Sequence, residues 1–214
     1  DVSLVLPEVK AANIKPDDYH VHDDDQRLHI KLPVTVGGGS NGEEVWLLAS
    51  FNYTLRDRLS GFYRSHYRDD DDDDDGEERE HVMATTQFEA NSARTAFPCF
   101  DEPGFKATFQ VQIMTQGDPY QVLSNTAATQ IRDYSISDSG GTGGGEIQRR
   151  MWSFQPTPRM STYLLAFIIG EFTTPKVKVV EGKEDQDIII SVTGLKGRSS
   201  ALQYALVAAA EAAQ

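Results

Sequence analysis

Gln87 and Glu89 are the residues whose types and spacing invite a chemical reading first. They lie in the run Thr85-Thr86-Gln87-Phe88-Glu89-Ala90, which continues through Ala93-Arg94 to Phe97-Pro98-Cys99-Phe100-Asp101-Glu102-Pro103. In an extended chain successive side chains point to opposite sides, so Gln87 and Glu89 share one side and Phe88 takes the other. A carboxylate beside a carboxamide can hold a protonated amine and orient a neighbouring carbonyl. By residue type alone that is one use among several.

The other reactive residue types are weaker candidates. The five histidines are His20, His22, His29, His66 and His81, and none stands in H-E-x-x-H, the spacing that puts two imidazoles and a glutamate base on one helix face. His20 and His22, followed by Asp23 to Asp25, could gather a cation, since i and i+2 on a strand share a face. A polar, solvated loop is the preferred reading of that segment. Cys99 would need a nearby histidine to act as a nucleophile, and its neighbours Phe97, Pro98 and Phe100 point to a small core residue instead. Asp101 and Glu102 are adjacent, so they point apart and do not form an acid and base pair across a glycosidic bond. Asp69 to Asp75 lacks the spaced ligands and turn glycine of a calcium loop. Asn52-Tyr53-Thr54 matches a glycosylation sequon but falls inside a predicted strand.

The elements that must position these residues are mainly strands. Leu28, Ile30 and Leu32 alternate with polar residues, as do Val45 to Tyr53, Phe109 to Ile113, and Val177 with Val179. Tyr163 to Ile169 and Ile188 to Val192 are apolar on both faces and read as interior strands. One helix is expected, over Ala201 to Gln214, capped by Ser199 or Ser200, with Leu202 and Leu206 one turn apart. It carries no stop signal and reads as the start of a second, helical domain. Gly37 to Gly42 and Ser139 to Gly145 read as flexible loops. The aspartate run, continuing through Glu77, Glu78 and Glu80, reads as a disordered acidic insertion. The expected architecture is mostly antiparallel β.

Composition narrows the function classes. The 214 residues carry a formal net charge of -13, and seven of those charges sit in the single aspartate run. Such a chain repels phosphate backbones and anionic lipid at long range. No apolar stretch approaches the roughly 18 residues of a membrane span. A single cysteine excludes an internal disulfide framework and fits a reducing, cytoplasmic setting.

Three blocks in order resemble one family. They are Leu59-Ser60-Gly61-Phe62-Tyr63-Arg64-Ser65, the stretch from Gln87 to Glu102, and Met160-Ser161-Thr162-Tyr163-Leu164-Leu165-Ala166-Phe167 with Gly170-Glu171-Phe172. The family is that of the zinc aminopeptidases, aminopeptidase N and puromycin-sensitive aminopeptidase among them, which are gluzincin metallopeptidases. The resemblance runs from about Val45 to the C-terminus.

That resemblance implies a saddle-shaped, largely antiparallel β domain over residues 1–196, with its first strands missing and an acidic insertion at 69–80. The start of a truncated catalytic domain would occupy 197–214. The implied parent is a hydrolase that removes single N-terminal residues from peptides. Its zinc and catalytic residues would lie beyond this chain, so the segment alone would hold no zinc and be inactive. Within this chain the family's Gln-x-Glu pair maps onto Gln87 and Glu89. Glu89 would bind the substrate's α-ammonium, Gln87 would line the pocket for the first side chain, and the Glu89–Ala90 peptide would be cis. The implied partners are peptide substrates and the catalytic domain of the same chain, with no nucleic acid and no membrane span. An alternative is a non-catalytic relative that uses the β domain as a protein-interaction scaffold. A carbohydrate-binding sandwich ranks last, because Trp46 and Trp152 both sit in apolar strand patterns.

Overall fold

The computed structural model describes residues 19–32, 47–68, 80–137, 146–173, 176–181, 187–195 and 201–213. The glycine loops at Gly37 to Gly42 and Ser139 to Gly145, the run Asp69 to Asp75 with Glu77 and Glu78, Val45, Trp46, and the caps Ser199 and Ser200 lie outside them.

Among the described residues the fold is mainly antiparallel β with one α-helix near the C-terminal end, as the alternation predicts. A four-stranded sheet carries the family blocks, in the order β3 (Gly61–Arg68), β4 (Glu80–Gln87), β11 (Phe167–Gly170), β7 (Gln121–Ser124). A three-stranded sheet has the order β6 (Gln112–Gln116), β9 (Glu146–Phe154), β8 (Ala128–Ser137). The described residues also form three short ladders: β1 (Tyr19–His22) with β2 (Arg27–Ile30), β5 (Lys106–Ala107) with β10 (Met160–Ser161), and β12 (Lys176–Glu181) with β13 (Asp187–Val192). Every one of these pairings is antiparallel.

Among the described residues two clusters of apolar side chains form the core of the sheets. Phe62, Phe88, Ala93, Ala96 and Leu165 make the first. Ile113, Val122, Trp152 and Phe154 make the second, with Ile113 and Trp152 directly opposed across β6 and β9. Val111, Phe167 and Ile169 pack against both, so β11 is the seam between them. Burying one such aromatic side chain is worth about 1.5–3 kcal/mol, which makes these clusters the main support of the sheets.

Several elements differ from the sequence expectation, each for a tertiary reason. Residues 47–55 form no ladder among the described residues. Tyr53 and Leu55 pack onto the first core, but Leu47 and Phe51 of the same alternating run are exposed, so the alternation here fixes neither pairing nor a continuous buried face. Phe109 and Val111 precede β6 instead of belonging to it, although their carbonyls accept hydrogen bonds from the Thr157 and Phe154 amides. Tyr163 to Ile169 is not one strand. A 3-10 turn at Thr162–Leu164 interrupts it, and the Asn125 side chain bonds the Leu164 carbonyl and the Ala166 amide at 2.8 Å each. Glu80 opens β4 and so belongs to the sheet, not to the acidic insertion.

The last hairpin departs furthest. Val177 and Val179 are exposed, while Val180 is buried against α1 (Ala201–Ala212), which packs on both β12 and β13. Likewise β13 is no interior strand, because Ile188 and Ile189 are exposed. The helix itself forms as expected and buries Leu202, Leu206 and Ala210. The segment after Tyr19 is also no loop. It is the β1–β2 hairpin, turning at 23–26 with Gln26 at φ 56.

Candidate functional site

Gln87 ends β4, opposite Gly61 at one end of the β3–β4 ladder. Phe88 then drops into the core, 2% exposed, with its ring edge-on to Phe97 at 5.7 Å and to Phe167 at 6.3 Å between centroids. Gln87 and Glu89 on either side of it are exposed. The alternation read from sequence is therefore what the chain does: one aromatic anchor inward, the two polar side chains outward. No side-chain hydrogen bond or ion pair to either Gln87 or Glu89 occurs among the described residues. The Glu89–Ala90 peptide is cis, as the resemblance implies.

The backbone around the pair is held from both sides. After Glu89 the chain turns back, with the Ser92 amide donating to the Phe88 carbonyl at 2.9 Å, and enters a 3-10 turn at Ala93–Thr95. Ala93 and Ala96 lock that turn into the first core cluster. Gly61 makes room for it. Its φ is +77, and a Cβ there would stand 2.4 Å from Thr95 Oγ1, so only glycine fits beside the turn. On the β11 side, Thr86 Oγ1 accepts from the Phe167 amide at 3.1 Å.

The Phe97 to Pro103 block serves as scaffold. Asp101 is buried, and its Oδ2 accepts hydrogen bonds from the Arg94 amide at 3.1 Å and from Arg94 Nε at 2.8 Å. That hydrogen bond, helped by the carboxylate's charge, holds the Arg94 guanidinium above its ordinary range. Glu102 is exposed, so the two adjacent carboxylates do point apart. Ser161 and Thr162 tie the block down by donating to the Pro103 and Phe100 carbonyls at 2.7 and 2.9 Å. Cys99 is half-buried against the first core, and desolvation, with the nearby Asp101 charge, pushes its thiol up to about 12. A thiol so disfavoured as an anion is no nucleophile.

Phe100, which in the sequence is one of the apolar neighbours that point to burial around Cys99, is itself on the surface, as is Phe105, to which the sequence assigns no role. They are 73% and 59% exposed and stack on each other at 5.5 Å. Apolar residues in a Pro- and Gly-containing loop show no periodicity, so nothing in the pattern marks them as surface residues. Trp152 is buried, which leaves no aromatic platform at that position.

Among the described residues no group of three His, Cys, Asp or Glu side chains is arranged to hold a metal ion. The sequence also lacks H-E-x-x-H. Among the described residues no helix is long and apolar enough to cross a membrane.

A β-rich domain that presents a carboxylate and a carboxamide beside an aromatic anchor is the class this geometry defines. The chain matches the peptidase M1 N-terminal domain over residues 2–164. It is 34% identical over 179 residues to a puromycin-sensitive aminopeptidase of Caenorhabditis elegans, covering 84% of this chain and 16% of that protein. It is 36% identical over 168 residues to an aminopeptidase N of Bos taurus, covering 77% of this chain and 14% of that one. A third relative is an alanine/arginine aminopeptidase of Saccharomyces cerevisiae, 39% identical over 121 residues, 56% of this chain and 12% of the relative. This chain belongs to the peptidase M1 N-terminal domain family, and its named relatives are aminopeptidases and hence hydrolases. It spans 16% or less of the length of these three relatives.

Proposed function

We propose that this chain is the amine-receiving part of a zinc aminopeptidase that removes single N-terminal residues from peptides. Glu89 pairs with the free α-ammonium of the substrate, and Gln87 lines the pocket for the first side chain. The observation that carries this reading is the Gln87-Phe88-Glu89 arrangement. Phe88 is buried to 2%, its two neighbours are exposed, and neither neighbour's side chain has a partner among the described residues. A carboxylate held on a fixed backbone with no internal cation is free to take one from outside. An ammonium held there would fix the scissile peptide bond one residue away from it, which is the geometry of single-residue removal.

The catalytic zinc would be held by a catalytic domain that begins near α1, and when bound there would supply Lewis-acid activation of water and carbonyl. This chain contributes binding and orientation. By itself it is inactive. A reducing, cytoplasmic setting suits its single cysteine.

The test is steady-state kinetics of the whole parent enzyme carrying Glu89→Gln, which keeps the shape and removes the charge. The amine contact exists in both the ground and transition states. KM should rise, and kcat should fall as well if a misplaced substrate reacts poorly. Unchanged KM and kcat with intact folding would remove Glu89 from substrate binding.

A further inference from the structure

We propose that His20, His22 and His29 bind a divalent transition metal, with zinc as the type, on one face of the β1–β2 hairpin. Sequence alone offered only two of these imidazoles, next to three aspartates, and gave them to a solvated loop. The structure adds the third. In the β1–β2 register His20 stands directly opposite His29, and His22 opposite Arg27. Directly opposed residues share a face, and so do i and i+2. The three histidines and Arg27 are therefore on one side, while Tyr19, Val21, Leu28 and Ile30 are on the other.

The rings already touch. His20 and His22 lie 4.4 Å apart between centroids, edge to face, and His22 and His29 lie 4.6 Å apart. In these rotamers the nitrogens do not converge on one point. All three side chains are exposed, so rotation about their two side-chain torsions is open to them. What rotation cannot supply, the placement of the three Cβ atoms on one small patch of sheet, is fixed by the register. Three histidines with an open fourth position form a recognised zinc donor set. Two histidines at i and i+2 with a third across the ladder is a compact way to build it on strands.

The electrostatics agree with a cation. Arg27, the like charge on this face, is drawn toward Asp25, Nε to Oδ2 3.9 Å. Asp23, Asp24 and Asp25 fill the turn and place negative charge beside His22. Bound metal would join the two strands of a hairpin whose apolar face is half exposed, with Tyr19 at 50% and Val21 at 56%. It would therefore hold the two strands of the hairpin together.

The experiment is a calorimetric titration of the Asp1–Gln214 chain with zinc chloride alone. Three variants accompany it: His29→Gln, His20→Gln and, as a control on another strand, His66→Gln. One equivalent of zinc is expected, with affinity falling about tenfold or more in the first two variants and unchanged in the third. A second readout needs no variant. In nitrogen-15 spectra of the unmodified chain, zinc should move the imidazole signals of His20, His22 and His29 together and leave those of His66 and His81 in place. Absence of saturable binding overturns the proposal. So does binding that His29→Gln leaves intact, since that assigns the ion to carboxylates.

Discussion

Removal of the Asp101 carboxylate should destabilise the domain by about 3–5 kcal/mol, although Asp101 touches no substrate. The magnitude follows from its contacts. Oδ2 is the acceptor for both the Arg94 amide and Arg94 Nε, and the Asp101 side chain is 3% exposed. In Asp101→Ala the amide loses its partner, at about 1–3 kcal/mol, and the guanidinium loses a charge-assisted hydrogen bond, at about 1.5–3 kcal/mol. Arg94 is 27% exposed and recovers part of the second loss by hydration. Asp101→Asn keeps an oxygen for the amide and should cost only the charge-assisted share. Urea unfolding of the two variants and the unmodified chain, compared at equal slope, measures both steps. An Asp101→Ala variant within about 1 kcal/mol of the original, or an Asn variant as damaged as the Ala variant, would refute the reasoning.

Three further outcomes follow from the packing around the pair. Phe88→Ala should cost about 3–5 kcal/mol in the same unfolding assay, because its ring is among the most buried of the described residues; a loss under about 1 kcal/mol would show that the site has no aromatic anchor. Gly61→Ala should cost about 1–3 kcal/mol, and Thr95→Ala in the same chain should return part of it by removing the hydroxyl that the new Cβ meets; no recovery would mean that the positive φ alone is responsible. The Cys99 thiol, pushed up to about 12 from 9.0, stays protonated in the folded chain while the unfolded thiol ionises. Its contribution to stability is then full below the unfolded value and is lost as pH rises toward the folded one. Alkylation by iodoacetamide should still be accelerating at about pH 10, whereas a plateau near about pH 8.5 would mean an ordinary, solvated thiol.

The part of the site legible in sequence is the part governed by local geometry. Gln87 and Glu89 outward with Phe88 inward follows from strand period alone, and the buried Phe88 with exposed neighbours fits it. What failed was whatever depended on a distant partner. Alternation placed Val177 and Val179 on a buried face, but α1 covers the opposite face and buries Val180. A period of two says that the faces differ without saying which one will be covered. The Tyr163 to Ile169 run was apolar enough for one strand, yet Asn125 replaces strand pairing at Leu164 and Ala166 with its own amide. His29 was invisible as a partner of His20 because cross-strand register depends on turn geometry. Here that turn includes Gln26 in the left-handed region, which is unusual for a residue other than glycine.

The most direct test of the central claim asks whether Glu89 recognises the amine itself. Two competitive inhibitors of the whole parent enzyme serve, identical except that one carries a free α-amine and the other a hydrogen in its place. The original enzyme should prefer the amine-bearing compound by about 2–4 kcal/mol, the range for a desolvated charge pair missing one member. In the Glu89→Gln enzyme that preference should largely vanish, while affinity for the compound without the amine stays nearly the same. A preference undiminished in the variant would contradict the assignment of Glu89 as the amine anchor.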